Sequence, residues 1–135
     1  MKDILGKFRG KKILILGFGR EGLSTYKFIR KYYPKIRIYI ADKKHINLPQ
    51  DKNVISYIGE SYLNNLSDFD LIIKTPGIPS ETPQIKDCIK KGVQVTSQTQ
   101  LFLESFRDRT VGITGTKGKS TPTSLIYHIL EGAGF

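Results

Sequence analysis

Cysteine is nearly missing from this chain. Cys88 is the single thiol among 135 residues, so neither an internal disulfide nor a cysteine-based metal site can form. Histidine is almost as scarce: His45 and His128 stand apart, with no second ligand at metal-binding spacing, and both read as surface or packing residues. No local motif supports a Ser-His-Asp or Cys-His nucleophile. Long apolar runs are lacking too. None reaches the roughly 18 residues of a membrane-spanning helix, and MKDILGKFRGKK has no apolar stretch of the kind that secretory signals carry. These absences point to a cytoplasmic protein. Acidic residues are few, 12 against 22 Lys and Arg, for a net charge of +10. The basic surplus is spread along the chain and forms no stripe interleaved with aromatics. It reads first as a solvated surface and second as attraction for an anion such as nucleotide phosphate, not as a nucleic-acid interface.

What is present is an ordinary globular composition, 39% hydrophobic and 25% charged, in a length that suits one α/β domain and is short for two. Strands are predicted at 12–16 (KILIL), 36–41, 53–57, 70–74 (DLIIK), 93–96 and 110–114. Helices are predicted at 23–33, 61–66, 82–91, 98–106 and 120–130. In the first long helix Leu23, Tyr26, Ile29 and Tyr33 form the inward stripe, and Gly92 closes the helix over 82–91. Tyr26, Tyr32, Tyr33, Tyr39 and Tyr57 read as core or rim, not as a stacking platform. Strands alternate with helices throughout, which calls for a parallel, doubly wound sheet with right-handed crossovers. Arg107-Asp108-Arg109 is the expected boundary between a complete unit over 1–106 and a strand–loop–helix over 110–135 that cannot bury its own faces. Leu125, Ile126 and Ile129 would then lie exposed.

Two glycine-rich loops carry the chemistry. Gly17-Phe18-Gly19-Arg20-Glu21-Gly22 is G-x-G-x-x-G, between a strand and a helix. Gly17 permits the tight turn, Gly19 lets a diphosphate approach the backbone, and Gly22 allows close packing of helix on strand. The helix N-terminus offers free N–H groups to phosphate. Asp42, 20 residues past Gly22 at the end of the next strand, can accept hydrogen bonds from a ribose or a base. A bare βα turn would use the same glycines.

The second loop, Gly115-Thr116-Lys117-Gly118-Lys119-Ser120-Thr121, follows VGIT and opens a helix. Gly-Lys-Ser-Thr in that setting is the phosphate loop of an NTP site. Its backbone cradles phosphates, Lys119 reaches the terminal ones and Ser120 is placed to meet Mg²⁺. The spacing is a variant, since the position of the usual first glycine is Ile113. Pro122 falls in the first helical turn, where its missing N–H is tolerated.

A Rossmann-like unit followed directly by G-T-x-G-K-S-T resembles the Mur ligase family. ILGFGREGLSTYKFI, DLIIKTPGIP and VGITGTKGKST look most like its D-glutamate-adding branch, over nearly the whole chain. The resemblance implies an ATP-dependent ligase of peptidoglycan precursor synthesis that adds D-glutamate to UDP-N-acetylmuramoyl-L-alanine through an acyl phosphate, with ATP and Mg²⁺ as cofactors. It implies that residues 1–106 bind the UDP-sugar and that residues 110–135 open a central ATPase domain. By similarity Gly19, Arg20 and Glu21 meet the uridine diphosphate, Asp42 and Lys43 lie at its uracil or ribose end, and Thr75, Pro76 and Gly77 lie near the diphosphate. Gly115, Thr116, Lys117, Gly118, Lys119, Ser120 and Thr121 bind ATP, Lys119 catalytically. The chain departs from the family at Arg20-Glu21, where a small apolar or hydroxyl pair is common, and near Gln98 or Gln100, where an acid is common. The family's Glu and His for Mg²⁺, its modified lysine and its amino-acid-binding domain would fall beyond Phe135, so a fragment inactive alone is expected. The competing reading is an NAD(P)-binding module, which uses Gly17–Gly22 and Asp42 but leaves the second loop idle. A further reading is a remnant that binds a nucleotide sugar only.

Overall fold

The computed structural model describes residues 2–135 and divides them into two compact units, the first ending at Ser105 and the second running over Phe106–Phe135. In the first unit a helix α1 (Lys2–Gly6) precedes β1 (Ile13–Leu16), α2 (Arg20–Tyr32), β2 (Ile38–Asp42), β3 (Val54–Ile58), β4 (Leu71–Lys74), α3 (Pro83–Lys90), β5 (Gln94–Thr96) and α4 (Gln98–Ser105). All four strand pairings are parallel, in the order β3-β2-β1-β4-β5. The second unit holds a short 3-10 turn, Arg107–Arg109, and α5 (Ser120–Gly132).

The apolar strand runs are explained by their place. β1 is central, paired with β2 and β4, and each of its four residues is fully buried, as in sheets covered on both faces. Leu14, Leu16, Ala41 and Ile72 face one layer, where Leu66, Phe69, Ile85, Cys88 and Val93 complete a core. Lys12 closes the rim of that layer, its ammonium lying 5.1 Å from the Tyr39 ring and 4.9 Å from the Phe69 ring. Tyr39 and Tyr57 stack at 6.4 Å on the same rim.

Four expectations are corrected. Residues 61–65 form turns instead of a helix, followed by a 3-10 turn at Leu66–Asp68; Asn65 adopts a left-handed φ of 60°, which breaks any helical run. The inward stripe of α2 is Gly22, Thr25 and Ile29, while Leu23 is exposed. Gly22 pivots the helix onto β1, because its missing side chain lets that turn approach closely. Thr110–Thr114 forms no strand: a strand needs a hydrogen-bonded neighbour, and the described pairings join only β1–β5. Ile126 is only half-exposed, whereas Leu125 and Ile129 are exposed. An element the sequence did not suggest is α1; Tyr33 Oη donates to Leu5 O at 2.7 Å, and Phe8 is buried edge-on against Phe28 and Tyr33.

Candidate functional site

The chain moves outward from β1 to β2 and β3, then crosses back to β4 on the other side of β1. The order in which strands are added across the sheet therefore reverses between β1 and β4, and their C-terminal ends open the crevice where doubly wound sheets take ligands. The loop after β1 is Gly17–Gly19, which runs into the first turn of α2 at Arg20–Gly22; the turn after β4 is Thr75–Ile78. The two meet directly. Gly17 has a φ of +88°, and a Cβ there would lie 2.1 Å from Thr75 Oγ1. Gly22 touches the same loop from the helix side: a Cβ on it would lie 2.2 Å from Gly17 O. Gly19 differs, since a Cβ there would meet nothing within 4 Å. The space above Gly19 is open, and that is what close approach of a ligand to backbone needs.

Backbone hydrogen bonds fix both segments to the sheet. Gly17 N–H donates to Ala41 O at 2.7 Å, and Thr75 N–H donates to Leu16 O at 2.9 Å. The first intrahelical bond of α2 is Leu23 N–H to Gly19 O, 2.9 Å, so the N–H groups of Gly19 to Gly22 precede the helical ladder. They are the orphan donors of a helix start; in the turn after β4, Gly77 N–H also has no described backbone acceptor.

Asp42 lies where the sequence places it, half-buried at the end of β2, but its oxygens have partners. Oδ2 accepts Phe18 N–H at 2.7 Å and Oδ1 accepts Lys44 N–H at 2.8 Å. The carboxylate thus ties the glycine loop to the loop after β2. Lys43 is exposed and pairs with Glu60 at 3.3 Å. Arg20, Pro76 and Gly77 are exposed; Glu21 and Thr75 are half-exposed. Three participants were not singled out from sequence: Phe18, buried edge-on to Tyr26, Lys44 through its backbone, and Lys74, whose ammonium donates into the turn after β4. Lys74 did leave a signal, a charge ending an otherwise apolar strand.

Below the crevice a polar buckle holds the long loop after β2. Tyr26 Oη donates to Asp51 Oδ2 at 2.7 Å, and Asn53 N–H donates to Oδ1 at 2.8 Å. Arg30 approaches Asp51 at 2.8 Å without the angle of a hydrogen bond to that oxygen, and its other terminal nitrogen donates to the carbonyls of Tyr33, Pro34 and Ile36. The Asn53 backbone N–H, then the Tyr26 hydroxyl, hold the Asp51 carboxyl below the ordinary carboxylate range. Burial first, and the hydrogen bond to Asp51 second, push the Tyr26 hydroxyl up.

In the second unit, Gly115–Thr121 is exposed throughout and leads into α5. Gly118 has a φ of +73°, Lys119 Nζ turns back to donate to Gly115 O, and Thr123 Oγ1 donates to Lys119 O at 2.6 Å. A groove of about 390 Å³ lies elsewhere, between the Leu66–Asp68 turn and α3; none of the residues picked from sequence lines it.

Residues 11–97 match the family model described as Mur ligase MurD-like, N-terminal domain. The UDP-N-acetylmuramoylalanine–D-glutamate ligase of Haemophilus influenzae is 32% identical over 131 residues, which is 96% of this chain and 30% of that protein. Its namesake in Clostridium kluyveri is 34% identical over 132 residues, 93% of this chain and 28% of that one. The chain thus spans about three tenths of the length of the curated relatives it matches. The solved UDP-N-acetylmuramate-alanine ligase of Thermotoga maritima superposes with a TM-score of 0.47 at 22% identity, covering 90% of this chain and 29% of that one.

Proposed function

The chain belongs to the Mur ligase family, in its MurD-like branch, and from that premise we propose that it is the N-terminal part of an ATP-dependent ligase joining D-glutamate to UDP-N-acetylmuramoyl-L-alanine in the cytoplasm. The observation that carries the reading is the meeting of Gly17 and Thr75 at the mouth between β1 and β4. That contact joins the two segments which the family reading assigns to one uridine diphosphate. Gly19, Arg20 and Glu21 would offer backbone N–H groups to the diphosphate, with Thr75, Pro76 and Gly77 on the opposite wall. Asp42 and Lys43 would stand at the uracil or ribose end, with Asp42 using the lone pairs that Phe18 and Lys44 leave free.

In the same reading Gly115–Thr121 holds ATP and begins a central ATPase domain. The loop fits a triphosphate. It is exposed, it takes a left-handed turn at Gly118, and an ammonium and a hydroxyl flank the start of α5. Ser120 would hold Mg²⁺, which neutralises phosphate charge when bound. Lys119 would exchange the Gly115 carbonyl for the terminal phosphates and offset the charge that moves as the substrate carboxylate is phosphorylated. The amine of D-glutamate then attacks the acyl phosphate and phosphate leaves.

Calorimetric titration with UDP-N-acetylmuramoyl-L-alanine, UDP and NAD⁺ in parallel tests the first unit. Binding of the first two without NAD⁺ is expected, weakened by Gly19→Ala. Binding of NAD⁺ alone would overturn the reading and favour a dinucleotide-binding module. ATP titration, with Lys119→Ala abolishing the heat, tests the second.

A further inference from the structure

β4 ends in a charge that neither glycine loop accounts for. Lys74 follows three buried apolar residues, Leu71, Ile72 and Ile73, and pairs with Leu16 in the sheet. Its side chain is half-buried. Nζ donates to Ile78 O at 2.6 Å and to Thr75 O at 3.3 Å. No acid among the described residues lies within ion-pair distance of it, so its partners are neutral carbonyls and its charge stays uncompensated.

The turn it grips needs holding. Pro76 has no N–H and Gly77 has the loosest backbone of any residue. One internal backbone bond closes the turn, Ile78 N–H to Thr75 O at 3.2 Å. The ammonium adds two charge-assisted bonds, one to each end of the turn. Thr75 in turn abuts Gly17 across the crevice, while Ile78 packs on the apolar core. The ammonium therefore links the core, the turn and the wall that faces the glycine loop.

We infer that Lys74 is a positioning residue of the crevice: it clamps the Thr75–Ile78 turn against the glycine loop and supplies an uncompensated positive charge to an anionic diphosphate bound there. The inference rests on the proposed function for its diphosphate, but the clamp itself does not.

The test uses the 135-residue chain and its Lys74→Met and Lys74→Arg variants, titrated with UDP and with uridine. Lys74→Met is expected to weaken UDP binding by about tenfold, the scale of a charge-assisted hydrogen bond, and uridine binding by less than about twofold. Lys74→Arg, which keeps charge and donors, recovers most of the loss. In the ligand-free chain, amide exchange at Ile78 quickens in the Met variant. An unchanged UDP affinity overturns the inference, and so does an equal loss for UDP and uridine, which marks a purely structural lysine. If the unsubstituted chain binds neither UDP nor UDP-N-acetylmuramoyl-L-alanine, the proposed function fails and the diphosphate part falls with it. Exchange at Ile78 then still decides the clamp, and no change there overturns it. Should Lys74→Met not fold, Lys74→Gln, neutral but still a donor, is read in the same way.

Discussion

Substituting Gly17 and Gly19 with alanine should separate folding from binding within three residues of chain. At Gly17 two costs combine. An L side chain at a φ of +88° loses about 1–2 kcal/mol. Its Cβ would also sit 2.1 Å from Thr75 Oγ1, and 3.2 Å from Thr75 Cβ, so turning the threonine relieves only part of the overlap; such crowding costs about 1–3 kcal/mol. Reduced freedom of the unfolded chain returns about 0.4–1 kcal/mol. The net loss is about 1–5 kcal/mol, or a melting point lower by about 5 °C or more in a unit of this size. At Gly19 the φ is −75° and the space is empty, so Gly19→Ala should cost under about 1 kcal/mol while weakening UDP binding. Because the chain lacks tryptophan, far-UV circular dichroism in a urea series is the assay. Thr75→Ala supplies the cycle: it removes the shortest overlap and should return part of the steric cost in the Gly17→Ala background, but none of the backbone cost. Equal destabilisation by Gly17→Ala and Gly19→Ala would refute the reasoning, as would strict additivity of Gly17→Ala with Thr75→Ala.

Asp42→Asn keeps one acceptor for Phe18 or Lys44 and turns an N–H₂ toward the other. About 1–3 kcal/mol of stability should be lost, and hydrogen exchange should quicken at whichever of the two amides loses its acceptor; protection unchanged at both would show that the tie is dispensable. Asp51 titrates lower in the folded chain than in the unfolded one. Its contribution is therefore complete above about pH 4 and fades as pH falls through the folded value. Asp51→Asn should flatten the acid limb of a stability–pH curve, and an unaltered limb would count against the buckle. Tyr26 is shifted upward, so the hydroxyl stays protonated in the fold when the unfolded chain would ionise. That contribution is complete below about pH 10 and is lost as pH rises through the folded value; Tyr26→Phe should flatten the alkaline limb, which a comparison of urea midpoints at high pH will read.

Much of the first unit was legible because its strands are covered on both faces. Runs such as ILIL and LIIK have no reason to be uniformly apolar otherwise, and each proved to be a buried parallel strand. The G-x-G-x-x-G motif was legible because each glycine answers a separate steric demand. What escaped depends on a neighbour that sequence does not specify. Asp42 reads as a ligand acceptor until Phe18 and Lys44 are seen to donate to it. VGIT is no less apolar than β5, which reads QVT, yet strand identity is conferred by a partner, and none is described beside it. Lys74 escaped because its partners are carbonyls four residues or fewer away, and no residue type advertises a carbonyl. Leu23 was misassigned because the absence of a side chain at Gly22, not the pattern of apolar residues, sets the rotation of α2.

The sheet order also sets a schedule for assembly. β1, β2 and β3 are neighbours in sequence and in space, so that half can form from short-range contacts. β4 must return to β1 across a long excursion; Lys12 N–H reaches the Asp70 carboxylate at a separation of 58 residues. Closure over such a span is slow compared with local pairing. Both walls of the crevice exist only once β4 has docked, so a chain still emerging from the ribosome carries its glycine loop well before it has anything to close that loop against. Nucleotide affinity should consequently appear in one late step, and a ligand present during refolding would stabilise the finished crevice without guiding the strands that form first.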